Sequence, residues 1–435
     1  MKLGMISLGC SKNQVDSEMI LGLLKRQNFE ITDNIDEADL IIINTCAFIE
    51  SAKKEAINAI FEVVKAKKEG QRIVVCGCLV ERYKDVLLEE IPEVDLFISI
   101  KDYPNFASLI NNLFKIEMDK LSFTDRVLIS PSFSPYVRIA DGCNNHCAFC
   151  AIPSIRGKYI SREMEDIIDE VNYLVDNGAK EINLIAQDTS KYGVDNYHKL
   201  MLPELLKEIA KNKSIKMIRI FYIYPETITD ELIDVIKNNP NICPYFDIPM
   251  QHASDKILSL MKRNTNKEKI LSLIKKIKTE VPNAIIRTTL MVGFPHENNK
   301  DFNDLLDLVK EAKFFHMGAF IYSREEGTPA YKLRGRVPKF ISKKRYDILM
   351  NTQREIALNL KKELIGRRYE ALVTSYNDDY TFTLRNYMFA PDDVDGAIIA
   401  TCPFENDIKE GDVVEVEILD ASPYELYGEI RRIIE

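Results

Sequence analysis

The sequence predicts an α/β multidomain protein: an amino-terminal open parallel α/β sheet, a central partial (βα) barrel and a small antiparallel β-barrel at the carboxyl end. Three observations predict it. Two tracts, residues 1–115 and 135–325, alternate short apolar runs with amphipathic ones, the pattern of parallel strands joined by crossover helices. From residue 366 the texture changes to five short β-rich runs with turn residues between them. The chain of 435 residues is 46% hydrophobic, enough to fill two or three cores.

In the first tract, strands are expected at 3–8, 40–44, 72–76 and 96–99, with helices such as 51–68 and 83–90 between them. Cys10, Cys46 and Cys78 each lie just past the carboxyl end of a different strand, the edge where ligands gather in open α/β sheets. Three thiols from three loops therefore meet at one edge. Three small buried residues at strand ends is the competing reading. Cys76 and Cys78 are expected on the same face of one strand, so geometry does not choose between them.

Residues 119–134 mix Asp119, Lys120, Ser122, Pro131 and Ser132 without periodicity and read as a linker between a first domain, 1–118, and a second, 135–365. Strands of that second domain are expected at 136–140, 181–186, 217–222, 245–248, 284–291 and 315–322. Six strands suit a partial barrel, whose site sits at the strands' carboxyl ends. Gln187, Asp188, Tyr222, Gln251, His252 and Gly293 all occupy such ends. A capped loop, a turn and a satisfied core imidazole are the plainer readings of Gln187 with Asp188, of Gly293 and of His252. A helix over 343–364 closes the domain, with Ile348, Leu349, Ile356, Leu360 and Leu364 as its apolar stripe and its basic residues on a solvated face. Domain three, 366–435, has strands expected at 369–374, 380–387, 396–401, 413–419 and 426–433, an oligonucleotide-binding type of barrel.

No apolar run approaches the roughly 20 residues of a membrane span, and the start, Met1-Lys2-Leu3-Gly4, lacks a signal-peptide layout. A cytoplasmic protein is expected. Nine cysteines, six of them in motif-like contexts, fit metal thiolates better than disulfides, with Cys243 and Cys402 as packing residues. The net charge is −9, and residues 366–435 alone carry 16 acidic against 6 basic side chains, leaving the remainder near +1. Phosphate binding needs Lys and Arg on the contact surface, which this barrel lacks. An acidic barrel complements a basic polypeptide instead, unless its charge only solubilises.

The chemistry is concentrated in Asp141-Gly142-Cys143-Asn144-Asn145-His146-Cys147-Ala148-Phe149-Cys150, which puts three thiols on one loop in the spacing C-x3-C-x2-C. Thiolates select zinc, copper(I) or iron–sulfur clusters. Structural zinc takes four closed ligands, and His146, next to Cys147 in sequence, is poorly placed to be the fourth. Three cysteines on a four-iron cube leave one iron open for chemistry. A zinc loop and three unligated thiols are the alternatives.

This loop resembles the signature of the radical S-adenosylmethionine (SAM) superfamily, with Phe149 matching the aromatic before the last cysteine. Ile152-Pro153, Arg156-Gly157 and Ser161-Arg162 follow as in the methylthiotransferases. The runs Leu8-Gly9-Cys10-Ser11-Lys12-Asn13, 186–193 and Asp247-Ile248-Pro249-Met250-Gln251-His252 are most similar to the branch that modifies a ribosomal protein. The resemblance covers essentially the whole chain, and the terminal barrel is then the family's TRAM domain.

The resemblance implies two 4Fe-4S clusters, one on Cys143, Cys147 and Cys150 that cleaves SAM reductively, and an auxiliary one on Cys10, Cys46 and Cys78 that carries sulfur. Cys78 matches the family's Gly-Cys, leaving Cys76 to the core. Phe149, Gln187, Gln251 and Gly293 become candidate SAM contacts, and Asp188, Tyr222 and His252 candidate substrate contacts. The implied reaction adds a methylthio group to the β-carbon of an aspartate in small-subunit ribosomal protein twelve, a basic partner, with electrons from an external donor. That carbon has no acidic proton, so the cofactor must supply radical chemistry and the protein orientation. Methylthiolation of a tRNA adenosine is the competitor within the same chemistry. A non-catalytic iron–sulfur electron carrier or RNA-binding module is the competitor from another class. The chain departs from the family at His296-Glu297, where Gly-Glu is usual after the proline.

Overall fold

The computed structural model describes residues 1–115, 120–378, 380–391, 394–405 and 407–434. Strands β1 (Lys2–Ser7), β2 (Glu30–Ile31), β3 (Leu40–Thr45), β4 (Arg72–Gly77) and β5 (Leu96–Ile98) form a parallel sheet in the order β2-β1-β3-β4-β5. Helices α1 (Ser11–Arg26), α2 (Glu50–Ala66), α3 (Cys78–Glu90) and α4 (Phe106–Phe114) cover it. Alternation along β3 divides the core: Ile41 and Ile43 pack on one face, Leu40 and Ile42 on the other. Strand order reverses between β1 and β3, the crevice where open α/β sheets bind ligands. Cys10 and Cys46 follow those two strands, and Cys78 follows the next.

The expected boundary at 118/119, with Asp119, lies outside the described residues. Residues 120–134 contain no helix or strand, as expected, but they are no solvated tether. Arg126 is buried between Glu18 of α1, at 3.1 Å, and Glu170, at 2.9 Å. The strap also runs so close to α1 that a Cβ on Gly22 would stand 2.1 Å from the Asp125 carbonyl oxygen.

The central domain contains β6 (Tyr136–Arg138), β7 (Ala140–Asp141), α5 (Ile152–Arg156), β8 (Ile160–Ser161), α6 (Met164–Asp176), β9 (Glu181–Ile185) and α7 (Leu202–Ile209). It continues through β10 (Met217–Ile220), α8 (Asp230–Asn238), β11 (Tyr245–Asp247), α9 (Asp255–Leu260), α10 (Lys267–Glu280), β12 (Ile285–Val292), α11 (Asn299–Ala312), β13 (His316–Ile321) and α12 (Lys339–Lys362). Two parallel sheets, β6-β9-β10 and β11-β12-β13, are joined by a parallel bridge between Ile218 and Ile242, giving a six-strand arc. The first expected strand stops early because β7 leaves the arc to pair with β8 at the base of the cysteine loop.

In α12 the buried positions are Ser342, Arg345, Leu349, Gln353, Ala357 and Lys361. This corrects the expected stripe: Ile348 is exposed, and Arg345 and Lys361 are not on a solvated face. Both cations are buried with acceptors, Arg345 on Glu297 at 2.7 Å and Lys361 on the Pro423 carbonyl at 3.0 Å, which charge patterning does not reveal.

Strands β14 (Arg368–Asp378), β15 (Thr381–Arg385), β16 (Ile398–Thr401), β17 (Val413–Ala421) and β18 (Leu426–Ile433) close a barrel in the order β14-β15-β16-β18-β17. Pairing is antiparallel except between β16 and β18, a parallel pair. The loop between β15 and β16 enters the arc. Asn386 and Tyr387 carbonyls accept from Arg219, at 3.0 and 2.9 Å, and the Met388 carbonyl lies 2.7 Å from His316 Nε2. Asp395 pairs with Arg287 at 2.9 Å and accepts from the Tyr245 hydroxyl. Deeper still, Glu181 is clasped between Arg219, at 3.0 Å, and Arg385, at 2.6 Å. The terminal barrel is thereby plugged into the open side of the central one.

Candidate metal centres

The first site is built by three strand-to-helix turns. Cys10 occupies the N-cap of α1, Cys78 opens α3, and Cys46 directly follows β3. Gly9 turns back with φ +97°, and a Cβ there would stand 2.7 Å from Cys46 Cβ and 3.0 Å from its sulfur. Asn13 knits the turns together: its Nδ2 donates to the Leu8 and Thr45 carbonyls at 3.0 and 2.9 Å, and its Oδ1 lies 3.4 Å from the Cys78 sulfur. Cys46 and Cys78 are buried, while Cys10 is exposed.

The structure separates Cys76 from Cys78, against the expectation that they share a face. Gly77, at φ +97° and ψ −158°, ends the strand and starts the helix between them. Cys76 packs with Val74 and Ile98, and Cys78 with Ile73 and Val75 on the opposite side. Cys76 is fully buried, whereas Cys78 reaches the edge shared with Cys46.

The second site is the loop between β7 and α5. Gly142 at φ +73° lets the chain run against Lys158, whose carbonyl oxygen would be 2.0 Å from a Cβ. The Asn145 amide points at the Cys143 sulfur at 3.4 Å, and the Ile152 amide at the Cys150 sulfur at 3.5 Å. The Arg263 guanidinium lies 3.7 Å from the Cys147 sulfur and 4.2 Å from the centre of the Tyr224 ring. Burial pushes the Cys150 thiol up to about 12 and raises Cys143. In the first site burial does the same to Cys78, again to about 12, and to Cys46. Thiols so placed become thiolates when a metal's charge holds them.

Among the described residues no three His, Cys, Asp or Glu side chains are grouped as ligands of a single ion. A four-iron cube asks for something wider, because each cysteine takes a different iron. Three soft donors per site, amides aimed at sulfur and a guanidinium facing one thiol of each triplet fit such a cube.

The two sites share a wall. Arg156, on the helix that follows the cysteine loop, reaches back to the first site: Nη2 is 2.8 Å from Asp16 Oδ2, 2.6 Å from Asn13 Oδ1 and 3.9 Å from the Cys78 sulfur. Its Nη1 is 3.2 Å from Asp141, where the cysteine loop begins. Arg138, at 2.5 Å from Asp16 Oδ1, completes this buried cluster.

Phe149 packs on the apolar group of Met261, Met291, Phe294 and Ala330 under the loop. Gln187 donates to Asp141 at 2.8 Å, and its buried Oε1 has no partner among the described residues. Gln251, just past β11, takes φ +68° and forms a parallel bridge with Leu290 of β12. The amide of Gly293 donates to Glu297 at 2.7 Å, and a Cβ on Gly293 would stand 2.2 Å from Ser342 Oγ, so its bareness accommodates α12.

Two candidate substrate contacts, Asp188 and His252, make hydrogen bonds within the protein. Asp188 is fully buried and committed to the cysteine loop through Asn145, at 2.6 Å, and to Ser190, at 2.7 Å. His252 is also fully buried, its Nδ1 accepting from the Ser254 amide at 2.9 Å. Tyr222, in contrast, borders a cavity of about 250 Å³ with Cys10, Arg287, Ala390 and Pro391. A second cavity, of about 510 Å³, opens beside Cys147 between Asn145, Lys191, Tyr224 and Arg263. His296 takes φ +69°, the left-handed conformation that explains why glycine suits this position. Sequence reading missed Arg156, Asp16, Arg263 and Tyr224 as site-shaping residues. Arg156 stood in a quoted motif, but nothing local announced its partner 140 positions away.

Comparison with known proteins agrees with this architecture. Residues 2–99 match the model of Uncharacterized protein family UPF0004, 137–309 the Radical SAM superfamily and 365–430 the TRAM domain. The chain is 45% identical to the ribosomal protein uS12 methylthiotransferase RimO of Alkaliphilus oremlandii, over 99% of both chains. Its identity to the proteins of that name from Thermoanaerobacter sp. and Clostridioides difficile is 44%, covering 98% and 99% of this chain and 99% of each relative. The chain belongs to the RimO methylthiotransferase family. It is an enzyme that transfers a sulfur-containing group, and the superfamily's cofactors are an iron–sulfur cluster and SAM. The fold is also that of the radical SAM methyltransferase TsrM from Kitasatospora setae, with a TM-score of 0.58 at 13% identity, over 87% of this chain and 79% of that one. Among the described residues no helix is long and apolar enough to cross a membrane.

Proposed function

We propose that this RimO-family protein methylthiolates the β-carbon of an aspartate in the basic ribosomal protein uS12, using two 4Fe-4S clusters. Cys143, Cys147 and Cys150 hold one, and Cys10, Cys46 and Cys78 the other. When bound, the first cluster together with SAM would supply the radical chemistry that an unactivated carbon needs, and the second would supply the sulfur. The observation that carries the reading is Arg156, which joins the cysteine loop to the Cys78 turn and keeps the two triplets adjacent.

The chain's residues bind, orient and exclude water. Gln187 and Gln251 at the strand ends, with Phe149 beneath the loop, are the proposed SAM contacts. Tyr222, Cys10 and the Ala390-Pro391 turn wall a chamber into which a substrate side chain fits. The acidic terminal barrel draws in a basic polypeptide, which favours uS12 over tRNA. Domain divisions near 118, 134 and 365, a cytoplasmic setting and an external electron donor belong to the same reading.

The test is anaerobic reconstitution followed by incubation with uS12 or bulk tRNA and mass analysis of both. About eight irons per chain and a methylthio mass gain on uS12 are expected. Four irons, or a gain on tRNA alone, would sink the proposal.

A further inference from the structure

The buried cation Lys12 is left over from every network described above. Lys12 is 7% exposed, and its Nζ stands 3.2 Å over the centre of the Tyr222 ring. Among the described residues no carboxylate is within ion-pair distance of it. Asp16, one turn further along α1, is occupied by Arg138 and Arg156. Arg287, the cation that lines the chamber, is neutralised by Asp247 at 2.8 Å and Asp395 at 2.9 Å, whereas Lys12 stands behind the chamber's Tyr222 wall. A buried ammonium without a counter-ion is costly, and an aromatic face offsets only part of that cost.

The position of this charge is informative. Lys12 is the second residue of the helix whose N-cap is Cys10, the exposed thiol of its triplet, and it lies over Tyr222, two residues past the end of β10 in the central arc. Tyr222 is held there in the left-handed region, φ +59°, by its amide bond to Asp247 at 3.0 Å and its carbonyl bond from the Thr189 amide at 3.1 Å. Non-glycine residues adopt that conformation at a cost, which a fixed platform for the lysine repays. Tyr222 and Cys10 both border the 250 Å³ chamber.

We infer that Lys12 is the specificity residue that receives the carboxylate of the substrate aspartate, the ion pair placing its β-carbon between the two thiol triplets. This rests on the proposed function and adds the group that tells aspartate from its neutral isostere. A site built around a buried charge discriminates strongly, because an uncharged analogue leaves that charge unpaired.

The experiment compares uS12 with a uS12 whose target aspartate is asparagine, using wild-type enzyme, Lys12→Met and Lys12→Gln, all checked for iron content. Wild type is expected to prefer aspartate by about tenfold or more in kcat/KM. Both variants, with full iron, should lose that preference and raise KM for uS12 while KM for SAM stays put. Retention of the preference in either variant overturns the inference, as does a rise in KM confined to SAM or loss of iron from both variants. Failure of the wild-type enzyme to modify any aspartate would instead overturn the proposed function.

Discussion

Arg156 and Cys78, 78 positions apart, come within 3.9 Å of each other at the seam between the amino-terminal sheet and the central barrel. The arginine also serves Asp16 at 2.8 Å and Asp141 at 3.2 Å, so one side chain fixes both thiol turns. Removing one partner of a buried ionic cluster costs about 3–5 kcal/mol. Arg156→Met is therefore expected to lower the urea midpoint and to retain fewer irons per chain than wild type. Normal iron content in a protein of undiminished stability would show that the seam does not need this charge.

Gly77 separates Cys76 from Cys78, and its conformation leaves no room for a side chain. A Cβ would meet Asn44 Oδ1 at 2.3 Å and the Thr45 carbonyl at 2.6 Å, with φ already at +97°. Left-handed strain alone costs roughly 1–2 kcal/mol, and the backbone clash adds to it. Gly77→Ala should destabilise by at least about 2 kcal/mol in urea unfolding and displace Cys78 from the other two thiols.

The two predictions differ in how far the sequence foretold them. Strand-end placement of Cys10, Cys46 and Cys78 was legible, because apolar runs locate strands and parallel topology puts their loops on one edge. The choice of Cys78 over Cys76 was not legible from strand periodicity, since it depends on one left-handed glycine. Asp188 and His252 stood at strand ends as expected, yet their side chains fold inward to partners that no local pattern names. The same holds for Arg345 and Lys361, which a helical charge pattern assigns to solvent and tertiary packing buries.

Glu181 holds the terminal barrel to the central one. Its carboxylate is fully buried between Arg219 and Arg385, which hold it below the usual carboxylate range despite burial. Glu181→Gln keeps the shape but leaves two guanidiniums facing a neutral amide. The expected loss is about 3–5 kcal/mol, read as faster proteolytic release of residues after 365. Cleavage at the wild-type rate would mean that the Asp395 contacts suffice.

His316 makes the same junction sensitive to acid. Burial lowers its pKa to about 4 from 6.5, and its ring faces Asp395, Lys361, Arg287 and the Met388 carbonyl. Between those values the unfolded chain binds the proton and the folded one does not, so stability falls as pH drops from 6.5 toward 4. The loss is on the order of 3 kcal/mol. His316→Gln, which can still donate to Met388, should flatten this part of the pH profile in thermal melts.

Lys361 acts at the alkaline end. Its ammonium is buried against Phe315, 4.7 Å from the ring centre, with the Pro423 carbonyl as acceptor, and burial lowers its pKa to about 8 from 10.5. The unfolded chain again binds the extra proton, so stability should rise as pH climbs from 8 to 10. Lys361→Met replaces the desolvated cation with a flexible apolar chain suited to the two phenylalanine rings near it, Phe315 and Phe389. The variant should melt higher than wild type at pH 7 and lose the rise above pH 8, because the penalty for stripping water from the ammonium is gone. A variant that melts lower at pH 7 would mean that the bond to Pro423 and the ring contacts outweigh that penalty.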